Sequence, residues 1–364
     1  MKKFFAFLMS ICLLFALCAC NGTPSSEDEP DKGGGSGTET PVEDESTSLL
    51  TDKKFKNGFK VRGLGEPIYP EHADEETTED KFGTLGMLQY GQSDLEEPVW
   101  TIAQWSSRYS LHDPEITDFE TISEGVYRYE NRSKLLQVNT ETGEVTLGLK
   151  ASECYVYGDR VAGQEWPHFL LERDITNQTS PSPFTKISSL KKINVSVDAR
   201  LDYYEDCMTT EADDGLHAAQ LMYYVFVSHR NPQTKSFDDM IWFGLPVFDN
   251  RTENVEQADF VDTGSKGSAT EKYIYNLGSS QILPDGNGFY KDGEIYSGED
   301  APYVHVEVDI LPYIRTAFDA AQAADCMLNS TYENLYINGM YIGFELPGTY
   351  DIQMSLRNLD IRVV

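Results

Sequence analysis

Two short segments carry side chains suited to acid–base chemistry. Phe237-Asp238-Asp239-Met240-Ile241-Trp242 opens a strand with two carboxylates and an aromatic, and alternation puts Asp238, Met240 and Trp242 on one face. About a hundred residues later, Tyr341-Ile342-Gly343-Phe344-Glu345-Leu346-Pro347-Gly348 sets Tyr341, Gly343 and Glu345 opposite Ile342 and Phe344, so Glu345 is expected to point away from the core. Carboxylates in unlike surroundings can divide the roles of general acid and of base or nucleophile. Glu307, on the polar face of its segment with Tyr303 and His305, is a third candidate acid. Gly343, two residues before Glu345, is expected to leave room for a ligand backbone or a sugar ring.

The elements that must hold these residues read as strands. Val195, Val197, Ala199 and Leu201 alternate with polar neighbours, as do Val304, Val306 and Val308, and Tyr350, Ile352, Met354 and Leu356. Turn pairs punctuate the chain: Thr142-Gly143, Asp285-Gly286, Asp292-Gly293, Asn338-Gly339 and Pro347-Gly348. Leu221 to Val227 is apolar at both parities, which suits a central strand covered on two faces. One helix is expected near 309–325, capped by Asp309, with Pro312 in its first turn and an apolar stripe of Ile310, Ile314, Phe318 and Ala321. Many strands and one helix predict an all-β fold, a two-sheet antiparallel β-sandwich, over residues 53–364. The loop-rich stretch from Thr78 to Glu130 can form a flap or lobe of its own.

Aromatic residues point to sugar contact. Trp100, Trp105, Trp166 and Trp242 can stack on pyranose faces while Asn, Gln and Asp take hydroxyls. Trp242 is the first choice because it shares a face with Asp238; Trp105 and Trp166 are expected in the core or between the sheets. The six histidines stand singly, without metal-ligand spacing, so no transition-metal site and no cofactor are expected. Asp285-Gly286-Asn287-Gly288 lacks the ligand pattern of a calcium loop and reads as a turn. Cys154, Cys207 and Cys326 are widely spaced and read as small buried hydrophobes rather than a disulfide framework.

The order acid-x-Met-Ile-Trp, then the Asp309 strand-and-helix segment, then Gly-x-Glu on a late strand is similar to the family-12 glycoside hydrolases, over roughly residues 193–361. The resemblance implies a concanavalin-like jelly roll whose concave sheet holds a glucan. It also implies a nucleophile at Asp238 and an acid/base at Glu345. The strand faces themselves offer Asp239, Met240, Trp242, Tyr341 and His305 as candidate ligand contacts. The first position carries Asp where the family has Glu. One methylene less draws its oxygens back by about 1.5 Å. Retaining pairs work at roughly 5–5.5 Å and inverting pairs at roughly 6.5–9.5 Å, so the shorter acid favours inversion or abolishes turnover. If Asp238 and Glu345 stand more than about 12 Å apart, no two-carboxylate mechanism joins them. Plainer readings exist: Asp238 and Asp239 as a solvated loop end after Asn231-Pro232, and Glu345 as an ion-pair partner of Arg357 or Arg362.

The formal charge of −31 argues against nucleic acid, whose phosphates need clustered cations, and makes a neutral polysaccharide or oligosaccharide a better partner than an acidic one. No Gly-x-Ser-x-Gly, Walker or dinucleotide fingerprint occurs. Lys2 and Lys3 precede an apolar run that closes on Leu17-Cys18-Ala19-Cys20, which resembles a bacterial lipobox. The resemblance implies a signal peptide over 1–19, lipid on Cys20 and an extracytoplasmic protein held to the membrane by that lipid alone. Residues 20–52 read as a Ser, Gly, Pro and carboxylate-rich tether of roughly 30 Å reach. The expected function is that of a surface-anchored lipoprotein binding an extracellular glycan. The alternatives are an active endo-glycosidase and an adhesive protein without a glycan site.

Overall fold

The computed structural model describes residues 46–72, 82–175, 186–263 and 270–364. Cys20, the leader and the tether up to residue 45 lie outside these residues. Most described strands fall into two sheets. One has the order β17 (Val304–Asp309), β10 (Ile193–Asp206), β19 (Tyr350–Val363), β8 (Glu144–Lys150), β7 (Lys134–Asn139), β6 (Val126–Glu130), β5 (Asp118–Ser123), with β1 (Thr47–Ser48) on the far end of β19. The other runs β13 (Ala258–Val261), β14 (Tyr273–Asn276), β12 (Phe237–Asp249), β11 (Gln220–Arg230), β18 (Leu335–Glu345), β9 (His168–Asp174), β4 (Trp100–Ala103), β2 (Phe59–Arg62), β3 (Thr84–Leu88). A small hairpin, β15 (Tyr290–Lys291) and β16 (Glu294–Ile295), turns at Asp292-Gly293. Within 78–130, the described residues supply β3 and β4 to one sheet and β5 and β6 to the other.

The sheets pack face to face because each strand's apolar parity points inward. Val195, Val197, Leu147 and Leu356 of the first sheet share one core with Tyr223, Val225, Phe243, Ile342 and Phe169 of the second. The eight-stranded sheet is antiparallel throughout. In the nine-stranded sheet β12 runs parallel to β14 and β2 to β4, so that sheet is mixed rather than wholly antiparallel as expected. Parallel neighbours arise from crossovers, which a hairpin-by-hairpin reading of turn signals does not reveal.

Two α-helices occur among the described residues: the single turn α1 (Ser279–Ile282) and α2 (Leu311–Ala323). The α2 stripe Ile314, Phe318 and Ala321 is buried, together with Ala317. Ile310, not Asp309, occupies the N-cap. The Asp309 carboxylate instead accepts from the amides of Leu311 at 3.1 Å and Ile193 at 3.0 Å, fixing the helix start to β10.

Asn338-Gly339 does not turn the chain. Both residues lie inside β18, and the pairing with β11 slips between Phe226–Gly339 and Val227–Ile337, leaving Asn338 as the extra residue of a β-bulge. The Asn338 side chain takes the Ser228 hydroxyl at 2.5 Å. A Cβ on Gly339 would stand 2.8 Å from the Phe226 ring, so the glycine lets that ring lie across the strand. A dipeptide able to leave extended geometry serves a bulge as well as a hairpin, and the β11 neighbour decides which.

Candidate binding site

The outer face of the nine-stranded sheet is aromatic. β11 turns Tyr223, Val225 and Val227 into the core and Met222, Tyr224 and Phe226 outward; β12 does the same with Phe243 inward and Trp242 outward. Across the pairing, Tyr341 of β18 stands opposite Tyr224. The ring centroids lie 5.1 Å apart for Tyr224–Tyr341, 4.7 Å for Phe226–Trp242 and 5.6 Å for Trp242–Tyr341. Tyr224, Trp242 and Tyr341 form the floor of a pocket of about 350 Å³ whose walls include Trp105, Trp166, His168, Asp262 and Glu345, and Phe226 packs beside Trp242 outside the lining. A shallower depression of about 290 Å³ shares Trp166 and Asp262 with it and continues toward Arg160 and Phe260.

Hydrogen bonds fix the polar rim. Tyr341 donates to Glu345 Oε1 at 3.0 Å; burial and then the Glu345 charge push the Tyr341 phenol well above its ordinary range, so it stays a donor. Trp242 Nε1 donates to Thr270 Oγ1 at 3.2 Å, and Thr270 donates through its hydroxyl at 2.5 Å and its amide at 3.0 Å to Asp262 Oδ2. Tyr224 is likewise raised, by burial first, then by Glu345 and also by Asp262, so both carboxylates bear on one phenol. Glu172, across from Tyr341 on β9, is partly buried against Arg62 at 2.5 Å, and desolvation raises it although Arg62 pulls it down. Beyond β8, Asp159 anchors the stretch leading to Trp166. Burial works to raise its carboxyl, but bonds from Thr349, Thr209 and Thr210 outweigh that and hold it at about 2.

Of the residues singled out from sequence, Glu345, Tyr341 and Trp242 meet in this pocket. Met240 shares the face of Trp242 further down β12, outside the pocket lining. Asp238 does not join Glu345. Gln220 of β11 pairs with Glu345 on one side and Asp249 on the other, while His229 pairs with Leu335 and Asp239. β12 and β18 therefore run parallel across β11, and Asp238 falls about ten residues below Glu345, roughly 30 Å at ~3.3 Å per residue. Its oxygens take His229 Nδ1 at 2.7 Å and Asn231 Nδ2 at 2.9 Å, and these bonds overcome burial to lower its carboxyl. Asp239 pairs with Lys272 at 2.9 Å at the same end.

His305 and Glu307 belong to β17 of the opposite sheet and cannot reach the pocket. His305 lies between Asp198 at 2.7 Å and Glu307 at 3.1 Å; bonds from those carboxylates raise it, and it lowers Glu307 in return. Gly343 leaves no room for a ligand either. A Cβ there would stand 2.2 Å from Phe169 O and 2.7 Å from Leu170 Cα, so the glycine admits the neighbouring backbone of β9. Gly343→Ala is expected to cost about 1–3 kcal/mol of stability by forcing β9 away. A denaturant midpoint indistinguishable from the parent's contradicts that close approach.

Sequence reading missed Tyr224, His168 and Asp262 as pocket residues; it named Trp105 and Trp166 as able to stack on sugars but expected them in the core or between the sheets. The signal for Tyr224 was present: a strand apolar at both parities in a two-sheet sandwich has one face with no second layer to cover it. Trp105 and Trp166 sit in loops, where no periodicity marks orientation, and both line the pocket, Trp166 while also packing against the main core. Trp100 is the fully buried one.

A larger concavity, about 720 Å³, lies on the eight-stranded sheet, and several of its polar groups bond to one another. Arg128 donates twice to Gln137 Oε1, Arg200 donates to Asp202 at 2.6 Å, and Ser355 donates to Asp202 at 2.6 Å; Tyr203 is its one aromatic among the described residues. At its margin Glu205, Cys207 and Asp351 bring donor atoms within 4.8 Å of one another. Both Asp351 oxygens already take Ser152 bonds, and burial with nearby carboxylates pushes the Cys207 thiol up to about 11, keeping it protonated.

No protein-family model matches the chain, and no curated protein matches it. Among solved structures it is similar to a family 12 xyloglucanase from Bacillus licheniformis, at 11% identity over 69% of this chain and 98% of that one, with a TM-score of 0.38. It is also similar to an endoglucanase from Rhodothermus marinus, at 12% identity over 68% and 96% with a TM-score of 0.34. A family 11 xylanase from Neocallimastix patriciarum matches at 8% identity over 69% and 97%, with a TM-score of 0.32. At such scores the likenesses assign no residue a role.

Proposed function

We propose that the pocket on the nine-stranded sheet binds a stretch of neutral polysaccharide, and that the chain holds this polymer without an Asp238–Glu345 hydrolytic pair. The carrying observation is the aromatic floor of Tyr224, Trp242 and Tyr341 beside the carboxylates of Glu345 and Asp262. Sugar rings offer C–H faces to aromatic rings and hydroxyls to carboxylates, which is the chemistry this lining supplies. The overall charge of −31 disfavours an acidic polymer. Lipid on Cys20 and the acidic tether complete the reading: an extracytoplasmic binder that waits at the membrane for a polymer that comes to it.

Glu345→Gln is expected to weaken binding about tenfold, the loss of one charge-assisted hydrogen bond. Asp238→Asn is expected to leave affinity unchanged, and no reducing ends are expected from neutral β-glucans or xylans with any of the three proteins. Titration calorimetry and a reducing-sugar assay check both points; equal losses in the two variants contradict the placement of Asp238.

A second reading has its own support. Glu345 and Asp262 both act on Tyr224, so a carboxylate pair other than the expected one borders the pocket. Under that reading the protein releases reducing ends, and Glu345→Gln and Asp262→Asn each abolish the release.

A further inference from the structure

The four tryptophans divide by what their indole N–H groups do. Trp100 donates to Asp52 O at 2.9 Å and Trp242 to Thr270 Oγ1 at 3.2 Å. The indole nitrogens of Trp105 and Trp166 are covered and have no acceptor among the described residues, and Nδ1 of His168 is in the same condition. These three rings are neighbours. His168 stacks on Trp166 at 5.6 Å and 30°, and meets Trp105 edge to face at 6.0 Å and 67°. All three line the pocket.

The cluster is held firmly from behind. The His168 amide donates to Trp105 O at 2.8 Å. The Arg160 guanidinium lies 4.7 Å over the Trp166 ring and is itself fixed by Gln164 O at 3.1 Å and Leu216 O at 2.9 Å. Covered donors are nearly always matched in folded proteins, since each unmatched one forfeits its bonds to water. Three together, in rings that border the proposed ligand pocket, are matched most simply by acceptors brought by the ligand.

We infer that Trp105, His168 and Trp166 form the anchoring subsite of the pocket, taking hydroxyl or ring oxygens of a neutral sugar through the two indole N–H groups and the imidazole. This rests on the glycan reading of the pocket and adds where the polymer is fixed along it. Neutral donors suit neutral acceptors, and Glu66 and Glu165 in the same wall disfavour a carboxylate or phosphate. Because the nitrogens are covered in the free protein, the subsite is completed when a sugar edge enters and the rings turn toward it. The bonds gained supply the free-energy difference for that turn.

Trp→Phe substitution tests this, because it keeps an aromatic ring and deletes the N–H. With the full chain and a panel of soluble neutral β-glucans and xylans, Trp105→Phe and Trp166→Phe are each expected to lose about 3–10-fold in affinity. Trp100→Phe, whose N–H serves Asp52 O in the core outside the pocket, is expected to change affinity less than about twofold. In ¹⁵N-resolved spectra the four indole resonances, assigned from these variants, report the same event directly. Those of Trp105 and Trp166 move downfield on adding the bound polymer's oligosaccharide, and that of Trp100 stays. The other indole resonances of each variant show that it is folded. If the parent binds a glycan but the Trp105 and Trp166 variants keep full affinity and their resonances do not move, the anchoring subsite is overturned while the pocket reading stands. If the parent binds no polymer of the panel, the pocket reading falls and the subsite with it.

Discussion

Truncating Trp242 to alanine is expected to cut affinity for a neutral polysaccharide about 10–100-fold while leaving the fold intact. The ring is held at 85° to Phe226, tilted 54° to Tyr341 and tied by its N–H to Thr270, so it meets a ligand in one orientation. A rigid aromatic at the centre of a binding surface typically carries about 1.5–3 kcal/mol, which sets the fold-change. The ring is only partly buried, and its loss removes contacts on the outer face rather than between the sheets. Calorimetric titration alongside thermal melting checks both halves. Unchanged affinity with a large drop in melting temperature contradicts the assignment.

Trp100→Ala is expected to do the reverse, destabilising the protein by about 3–5 kcal/mol with no specific effect on ligand affinity. Trp100 is fully buried on the core side of β4, 5.1 Å from Phe55, beneath the Arg173 guanidinium at 5.7 Å, and its N–H satisfies Asp52 O at 2.9 Å. Removing it leaves a cavity and strips a carbonyl of its donor at once. Equilibrium denaturation measures the loss. A variant with the parent's midpoint but lost glycan binding places Trp100 in the site and inverts the faces of β4.

These two tryptophans show where sequence was informative and where it was not. Strand alternation in β10, β17 and β19 settled which side faces the core, because a one-residue slip would expose every apolar side chain. The α2 stripe was as clear, since spacing alone sets a helical face. Trp242 and Glu345 inherited their outward direction from the same parity argument. The position of Asp238 was not visible, because parity places a residue on a face but says nothing about its height along the sheet. That height follows from the β11 register, a non-local pairing. Trp105 and Trp166 lie outside regular strands, so nothing local aims them. Leu221 to Val227 announced a central strand; whether its second face meets another layer or a ligand is decided by the rest of the chain.

The most direct test of the central claim is affinity electrophoresis of the parent, Trp242→Ala and Asp238→Asn chains through gels containing soluble neutral β-glucans or xylans. The account predicts that at least one polymer retards the parent and Asp238→Asn equally and leaves Trp242→Ala at its polymer-free mobility. Failure of every polymer to retard the parent, or retardation lost in Asp238→Asn and kept in Trp242→Ala, contradicts it.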